Sequence, residues 1–294
     1  MIVVTYNSAP LLPAFFGSLA AAGRQPREII VVDNGSRDGT AQLVAANYPH
    51  ARLLANSANT GFGHACNQGA AIATGDLLAF LNPDVTFTPG WLATLEAHLQ
   101  ASPRAAIVCP ETLHYGQVPS LPCAGQELEA VAAVPGSAML VRRAAWQAIG
   151  PFDERIFLYW EDTELCWRAW LLGWQVFVDH AAHVFHARHA SGGGKAWAAE
   201  AAKNGLYTHL KLMRWRRVAA YAGRLALKTV LAPRVFWTAW RGNLAGLGAT
   251  LAARRSLMRR VQCDQRQLER MIDAHTRRQA IQKHERISQK ADPE

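Results

Sequence analysis

A few places along the chain carry side chains that could do chemistry. The adjacent carboxylates Glu161 and Asp162 open an amphipathic stretch. One carboxylate is enough to take a proton from a weak nucleophile in a single displacement, provided it is held in position. The same pair could instead mark a helix start, where acidic residues stabilise the cap and first turn by roughly 0.5–2 kcal/mol. Asp84 closes Asn82-Pro83-Asp84 after a run of apolar residues. A carboxylate there is costly without a cation or donor partner, although a turn or cap before Pro89 is the plainer reading. Asp33 follows Val31-Val32 and can accept from an N–H, and Tyr6 offers a flat stacking face beside it. In Asn59-Thr60-Gly61-Phe62-Gly63 the glycines allow close backbone approach, with a helix N-terminus nearby to favour an anion. Taken singly, each of these is an ordinary turn former. His180, His183, His186 and His189 recur every third residue. A zinc cluster is the tempting reading, but Asp179 is the one further ligand in reach, and an extended chain throws alternate residues to opposite faces.

The elements that must position these residues follow from their patterning. Strands are expected at Ile2–Tyr6, Glu28–Asp33, Ala51–Ala55, Leu77–Asn82, Ala105–Cys109 and Pro135–Val141, with helices at Pro10–Ala22, Asp38–Asn47, His64–Thr74, Pro89–Ala101 and Arg143–Ile149. Asp162–Leu172 is a strongly patterned helix closed by Gly173. The alternation implies βαβ units and a mostly parallel sheet covered on both faces. In such sheets ligands bind beyond the carboxyl ends of the strands, where Asn7, Asp33, the 56–63 segment and Asn82–Asp84 fall. Residues 111–131, with their prolines and glycines, have no clear pattern.

Composition narrows the class. Half of the 294 residues are hydrophobic, enough for a large core. No charge-free apolar run reaches the roughly 18 residues of a membrane span, and the chain opens directly into its first strand, so the expectation is a cytoplasmic protein whose native start could lie a few residues upstream. Five scattered cysteines without a CxxC pair suggest reduced thiols. The net charge of +9 is uneven: residues 1–200 hold 11 Lys/Arg against 16 Asp/Glu, and residues 201–294 hold 20 against 6. An acidic front argues against nucleic acid as the main ligand, and the basic back suits an anionic surface.

The strand-end motifs form an ordered series: Thr5-Tyr6-Asn7, Asp33-Asn34-Gly35, Asn59-Thr60-Gly61 leading to Asn67-Gln68-Gly69, and Asn82-Pro83-Asp84. With Gly150-Pro151-Phe152-Asp153-Glu154 and Glu161-Asp162 downstream, residues 1–195 resemble glycosyltransferase family 2, in particular its rhamnosyl- and galactofuranosyl-type members. The resemblance implies an α/β, nucleotide-sugar-binding glycosyltransferase A-type fold and donor-side roles for Tyr6, Asp33, Asn59, Gly61, Asn67 and Asn82. It implies a divalent metal, Mg²⁺ or Mn²⁺, at Asp84, with His186 of Val184-Phe185-His186 completing its shell before Ser191 and Gly192. Many relatives have Asp-x-Asp where this chain has Asn82-Pro83-Asp84. Asp162 is then the catalytic base of an inverting transfer and Glu161 its support or an acceptor contact. The other histidines are expected in loops or at the surface.

The implied reaction moves a sugar, L-rhamnose from a dTDP donor or a hexose such as galactofuranose from a UDP donor, to a cell-surface glycan or lipid-linked saccharide. A basic membrane- or RNA-binding protein with a transferase-like fold is the rival of another class. The domain boundary is expected near residue 200, with 1–200 catalytic and 201–294 a basic, Trp- and Arg-rich helical extension. Its interleaved Trp and Arg match helices that lie in a membrane interface, as well as ordinary packed helices with solvated arginines. The expected location is therefore cytoplasmic, peripheral on the inner face of the cell membrane.

Overall fold

A computed structural model describes residues 1–115, 117, 127–187 and 195–277. The expected alternation is present: β1 (Ile2–Thr5), α1 (Leu12–Ala21), β2 (Ile29–Asp33), α2 (Thr40–Asn47), β3 (Ala51–Ala55), α3 (Phe62–Ile72) and β4 (Leu77–Leu81). There follow β5 (Val85–Phe87), α4 (Trp91–Ala101), β6 (Ala105–Leu113), β7 (Leu128–Ala130), β8 (Ala138–Arg142), α5 (Arg143–Ile149), α6 (Glu161–Leu171) and β9 (Gln175–His186). The remainder is helical: α7 (Lys195–Leu212), α8 (Trp215–Leu231), α9 (Pro233–Ala245), α10 (Leu247–Met258) and a last stretch at 265–277.

One sheet runs in the order β3-β2-β1-β4-β8-β6-β9-β5, with β7 on β9. Its first four strands are parallel, as expected. Beyond β4 the sheet is mixed, because β8 enters antiparallel between β4 and β6, and β5 pairs antiparallel with the end of β9. The apolar β8 and the histidine-rich β9 have too little period-2 alternation to reveal this direction in sequence. Side chains alternate between two cores. Ile2, Val4, Ile30, Val32, Leu78 and Phe80 face α3, α5 and α6, whereas Val3, Ile29, Val31, Ala79 and Leu81 face α1 and α4. Cys66, Cys109 and Cys166 are buried free thiols and Cys263 is half-buried, in keeping with core filling. Cys123 lies outside the described residues.

The boundary expected near residue 200 falls inside α7. Leu212, Met213, Val218, Leu257 and Leu268 join the core that contains β1 and α6, so helices beyond residue 200 share the core of the sheet. Ala202, Leu206, Leu225 and Ala239 make a smaller cluster where α7, α8 and α9 meet. No helix among the described residues is long and apolar enough to cross a membrane.

Candidate active site

The sheet gathers the candidate residues at one rim. Parallel β1, β2 and β4 end there; β8 begins there, with Ala138 opposite Leu81. The Asn82 N–H donates to the Ser137 carbonyl at 2.9 Å and seals β4 to the start of β8. The β5–β9 pair then sets Val85 opposite His186, which carries His186 to Asp84.

On the β1–β2 side, Asp33 is buried at its strand end. Its Oδ1 accepts from the Thr5 hydroxyl at 2.9 Å and the Ser36 hydroxyl at 2.5 Å, and its Oδ2 accepts from the Ser36 N–H at 3.0 Å. Oδ2 therefore keeps a lone pair for a further donor. Tyr6 stands out at 51% exposure, followed by Asn7 at φ 49°. The hub of this side is a residue the sequence reading passed over. Buried Asn34 donates to Asn59 Oδ1 at 3.0 Å and to the Gly61 carbonyl at 3.2 Å, and its Oδ1 accepts from Asn56 and from both the N–H and hydroxyl of Thr60. Gly61 has φ +91°, and a Cβ there would lie 2.5 Å from the Phe157 carbonyl oxygen. The space opened by this glycine is filled by the chain's own 157 backbone, which differs from the expectation that it lets a ligand approach. Asn67 likewise works inward: its amide donates to the Phe152 carbonyl and Glu154 at 3.0 Å and its oxygen accepts from the Phe152 N–H at 3.0 Å, fixing the segment that leads to Glu161.

Asp84 is buried, and its Oδ1 lies 3.0 Å from Nε2 of His186. Among the described residues no group of three or more His, Cys, Asp and Glu side chains forms a metal cage. One carboxylate oxygen and one imidazole nitrogen at this separation, on neighbouring strand ends, nevertheless suit a hard divalent ion that takes its other ligands from phosphates and water. Asn82 is half-buried two residues away.

Glu161 and Asp162 open α6 differently from the expected cap. The N-cap is Trp160, with no side-chain cap bond, and Tyr159 and Trp160 both have positive φ, 65° and 77°. Two non-glycine residues in this region cost of order 1–3 kcal/mol each and need support from their surroundings. That support comes from α7. The amide of Asn204, itself buried, donates to the carbonyls of Leu158 at 2.9 Å and Tyr159 at 3.2 Å. The next residue is Gly205, where a Cβ would sit 2.0 Å from the Tyr221 hydroxyl and 3.0 Å from the Trp160 ring. Behind the turn, Glu164 is bound by Arg168 and by Lys211 at 2.6 Å, and Lys211 also reaches Asp153 at 2.6 Å. Arg168 further donates to the carbonyls of Ile149 and Pro151. Burial alone would raise the Asp153 carboxyl, but Lys211 and the Tyr207 hydroxyl outweigh it and hold it low.

The two carboxylates differ sharply in their partners. Asp162 Oδ2 accepts from the Gly136 N–H at 2.9 Å, and Oδ1 accepts from the Thr163 N–H at 2.5 Å and the Thr163 hydroxyl at 3.1 Å. Glu161 is buried with an unpartnered Oε2. Burial, reinforced by the neighbouring Asp162 charge, pushes Glu161 up to about 8, and burial also raises Asp162 against its three hydrogen bonds. Within the pair the hydrogen bonds favour the charged form of Asp162, and burial with the Asp162 charge disfavours that of Glu161.

Comparison with known proteins settles the family. A model described as glycosyl transferase family 2 matches residues 1–123. The N-acetylglucosaminyl-diphospho-decaprenol L-rhamnosyltransferase of Mycobacterium tuberculosis is 33% identical over 236 residues, covering 65% of this chain and 77% of the relative. The chain belongs to glycosyltransferase family 2. Solved glycosyltransferases share the fold of this family 2 member at lower identity. GalNAc-T7 with UDP, GalNAc and Mn²⁺ matches with TM-score 0.59 and 18% identity over 71% of this chain and 47% of that one. The Pyrobaculum calidifontis mannosyltransferase PcManGT with GDP-Man and Mn²⁺ matches with TM-score 0.57 and 19% identity over 92% and 84% of the two chains.

Within this glycosyltransferase His180 and His183 are strand residues and not loop residues. His180 and His183 lie in β9, where a register shift beside Glu111 turns both toward that carboxylate, at 3.5 and 3.6 Å, and His180 also meets Glu129 at 3.3 Å. His183 is buried. The sequence spacing hid these acidic partners because they come from other strands. His189, Ser191 and Gly192 lie outside the described residues. Asn34, Gly136 and Asn204 also escaped the sequence reading. Each stands beside or within an Asn-Gly or Pro-Gly pair that looks like a turn, and only Asn204, inside an α-helix, contradicts that appearance.

Proposed function

We propose that this glycosyltransferase moves L-rhamnose from dTDP-rhamnose, with inversion, to a lipid-linked saccharide at the inner face of the membrane. The observation that carries the mechanism is the unequal carboxylate pair: Asp162 is held by three donors while its neighbour Glu161 has an unpartnered buried oxygen. In this reading an acceptor hydroxyl gives its proton to Asp162 as its oxygen bonds to the anomeric carbon, and the bond from that carbon to the diphosphate breaks on the opposite face. Tyr6 stacks on the donor base, the free lone pair of Asp33 Oδ2 accepts from its N–H, and the Asn34-pinned loop of Asn59 and Gly61 shapes the wall beside it. Asn67 holds the 152–154 segment, and Asn82 and Ser137 border the sugar.

Asp84 and His186 are the residues that would hold Mg²⁺ or Mn²⁺ against the donor diphosphate, and neutralising the leaving group's charge is the chemistry such an ion supplies. Support for L-rhamnose as the sugar and for a lipid-linked acceptor comes from similarity to the M. tuberculosis N-acetylglucosaminyl-diphospho-decaprenol L-rhamnosyltransferase. Incubation with a panel of nucleotide sugars tests the assignment: dTDP release from dTDP-rhamnose with a lipid-diphospho-saccharide acceptor is expected. Preferential UDP release would replace the donor, and neither binding nor turnover across the panel would replace the enzyme by a non-catalytic binding protein.

A further inference from the structure

We propose that the outer face of α8 and α9 is a docking surface for a bilayer containing anionic phospholipid. The two helices turn their inner sides to each other and to α7. Val218, Leu225 and Ala239 are buried, the Trp240 indole donates to the Thr229 hydroxyl at 3.0 Å, and Lys228 lies over the Phe236 ring at 6.0 Å. With those sides fixed inward, the outward sides are defined. On α8 they carry Leu227, Val230 and Leu231, the last two each 77% exposed, with Arg224 exposed on the same helix. On α9 the positions 234, 237, 241 and 244 follow helical spacing along one side as Arg, Trp, Arg and Leu, all exposed, with Trp237 at 58%.

The charge of this region selects the occupant. Residues 201–263 contain 13 Lys/Arg and not one Asp or Glu. A second copy of the chain would set two faces of the same sign against each other. RNA would neutralise the arginines and could stack on Trp237, but it leaves the aliphatic Leu227, Val230 and Leu231 without a partner. An anionic leaflet satisfies both sets at once: headgroups meet the arginines, the indole sits at headgroup level, and the aliphatic tips enter the acyl boundary. The surface extends the reading of a lipid-linked acceptor, yet it stands on its own residues and does not depend on which donor is used.

Sedimentation of the full chain with vesicles tests this. Binding to phosphatidylcholine vesicles doped with phosphatidylglycerol is expected to exceed binding to phosphatidylcholine alone by tenfold or more, and to fall as salt is raised. Arg234→Gln with Arg241→Gln is expected to weaken it by roughly 20-fold, and Val230→Ser with Leu231→Ser, or Trp237→Ala, by roughly tenfold. Donor-nucleotide affinity and thermal unfolding of the same preparations are expected to stay at wild-type values, because these side chains lie outside the candidate active site and its supporting turn. Variants that sediment like wild type overturn the proposal. So does a chain that shifts labelled RNA but ignores the vesicles, or one that forms a dimer dissolved by Trp237→Ala. Vesicle binding without donor binding would leave this surface standing and remove the transferase reading instead.

Discussion

At the scale of single residues the decisive feature is the division of labour between Glu161 and Asp162. Asp162→Asn keeps an acceptor for the Gly136 N–H but cannot take a proton, so turnover is expected to fall by roughly 10²–10⁴-fold while the donor dissociation constant changes little. Asparagine has one acceptor oxygen for the two that Asp162 offers to Gly136 and Thr163, so a small loss of stability is expected alongside, and near-wild-type turnover in this variant would remove Asp162 from the mechanism. Glu161→Gln should act mainly on stability. Its carboxyl is raised from 4.5 to about 8, so the folded chain binds the extra proton between those values. The unfolded chain releases that proton first, and stability declines as pH rises from about 4.5 to about 8. Glutamine removes the decline, so the variant should gain on wild type at pH 8 by an amount on the order of 1 kcal/mol, roughly 2–4 °C in Tm, and gain little at pH 5; an equal difference at both pH values would reject this origin. For the metal, isothermal titration of Mn²⁺ in the presence of donor nucleotide should lose its signal in Asp84→Ala, and activity should vanish in chelator. Residue identity was the most legible level of the sequence: Asp33, Asp84, Asp162 and His186 all reach one rim. What it could not give was the direction of each amide. Gly61 and Asn67 belong to the right neighbourhood, but their contacts bind chain to chain, because their partners Phe152 and Phe157 are roughly a hundred residues away in sequence.

Between elements, the active-site turn is maintained from a distance by α7. Asn204→Leu preserves volume and removes the amide that donates to the Leu158 and Tyr159 carbonyls, beside the positive-φ pair Tyr159 and Trp160. Turnover is expected to drop about tenfold and stability by about 1–3 kcal/mol, with donor affinity kept, since Tyr6 and Asp33 are on other strands; an unchanged turnover would show the turn to be self-supporting. Gly205→Ala drives a methyl into the Tyr221 hydroxyl and should cost about 1–3 kcal/mol, and adding Tyr221→Phe should recover part of it in a double-mutant cycle. The βαβ half of the fold was readable from its β-branched runs and intervening helices. β9 was not, because Gln175–His186 carries His, Asp and Ala at many positions and owes its extended form to three partner strands, an instance of tertiary pairing overriding local propensity.

For the whole molecule, the charge asymmetry visible in composition persists as a basic stretch with no Asp or Glu from 201 to 263, while helices beyond residue 200 share a core with the sheet. Because Leu212, Met213, Val218, Leu257 and Leu268 complete the core of β1 and α6, a single cooperative transition is expected on heating, with far-UV circular dichroism and tryptophan fluorescence coincident. Two separated transitions would restore an independent C-terminal domain. Composition could not reveal this sharing, since the buried stripe of an arginine-rich helix is a small part of its residues. The Asn204 contact also has a consequence for biosynthesis. A ribosome delivers the chain from its N-terminus, and domains fold as they emerge. The strands bearing Tyr6 and Asp33 can assemble early, but the turn bearing Asp162, the proposed proton acceptor, must wait until α7 has left the exit tunnel. A nascent chain should therefore acquire nucleotide binding before it acquires turnover, so it would not transfer sugar until the helices that lead to its basic surface had begun to appear.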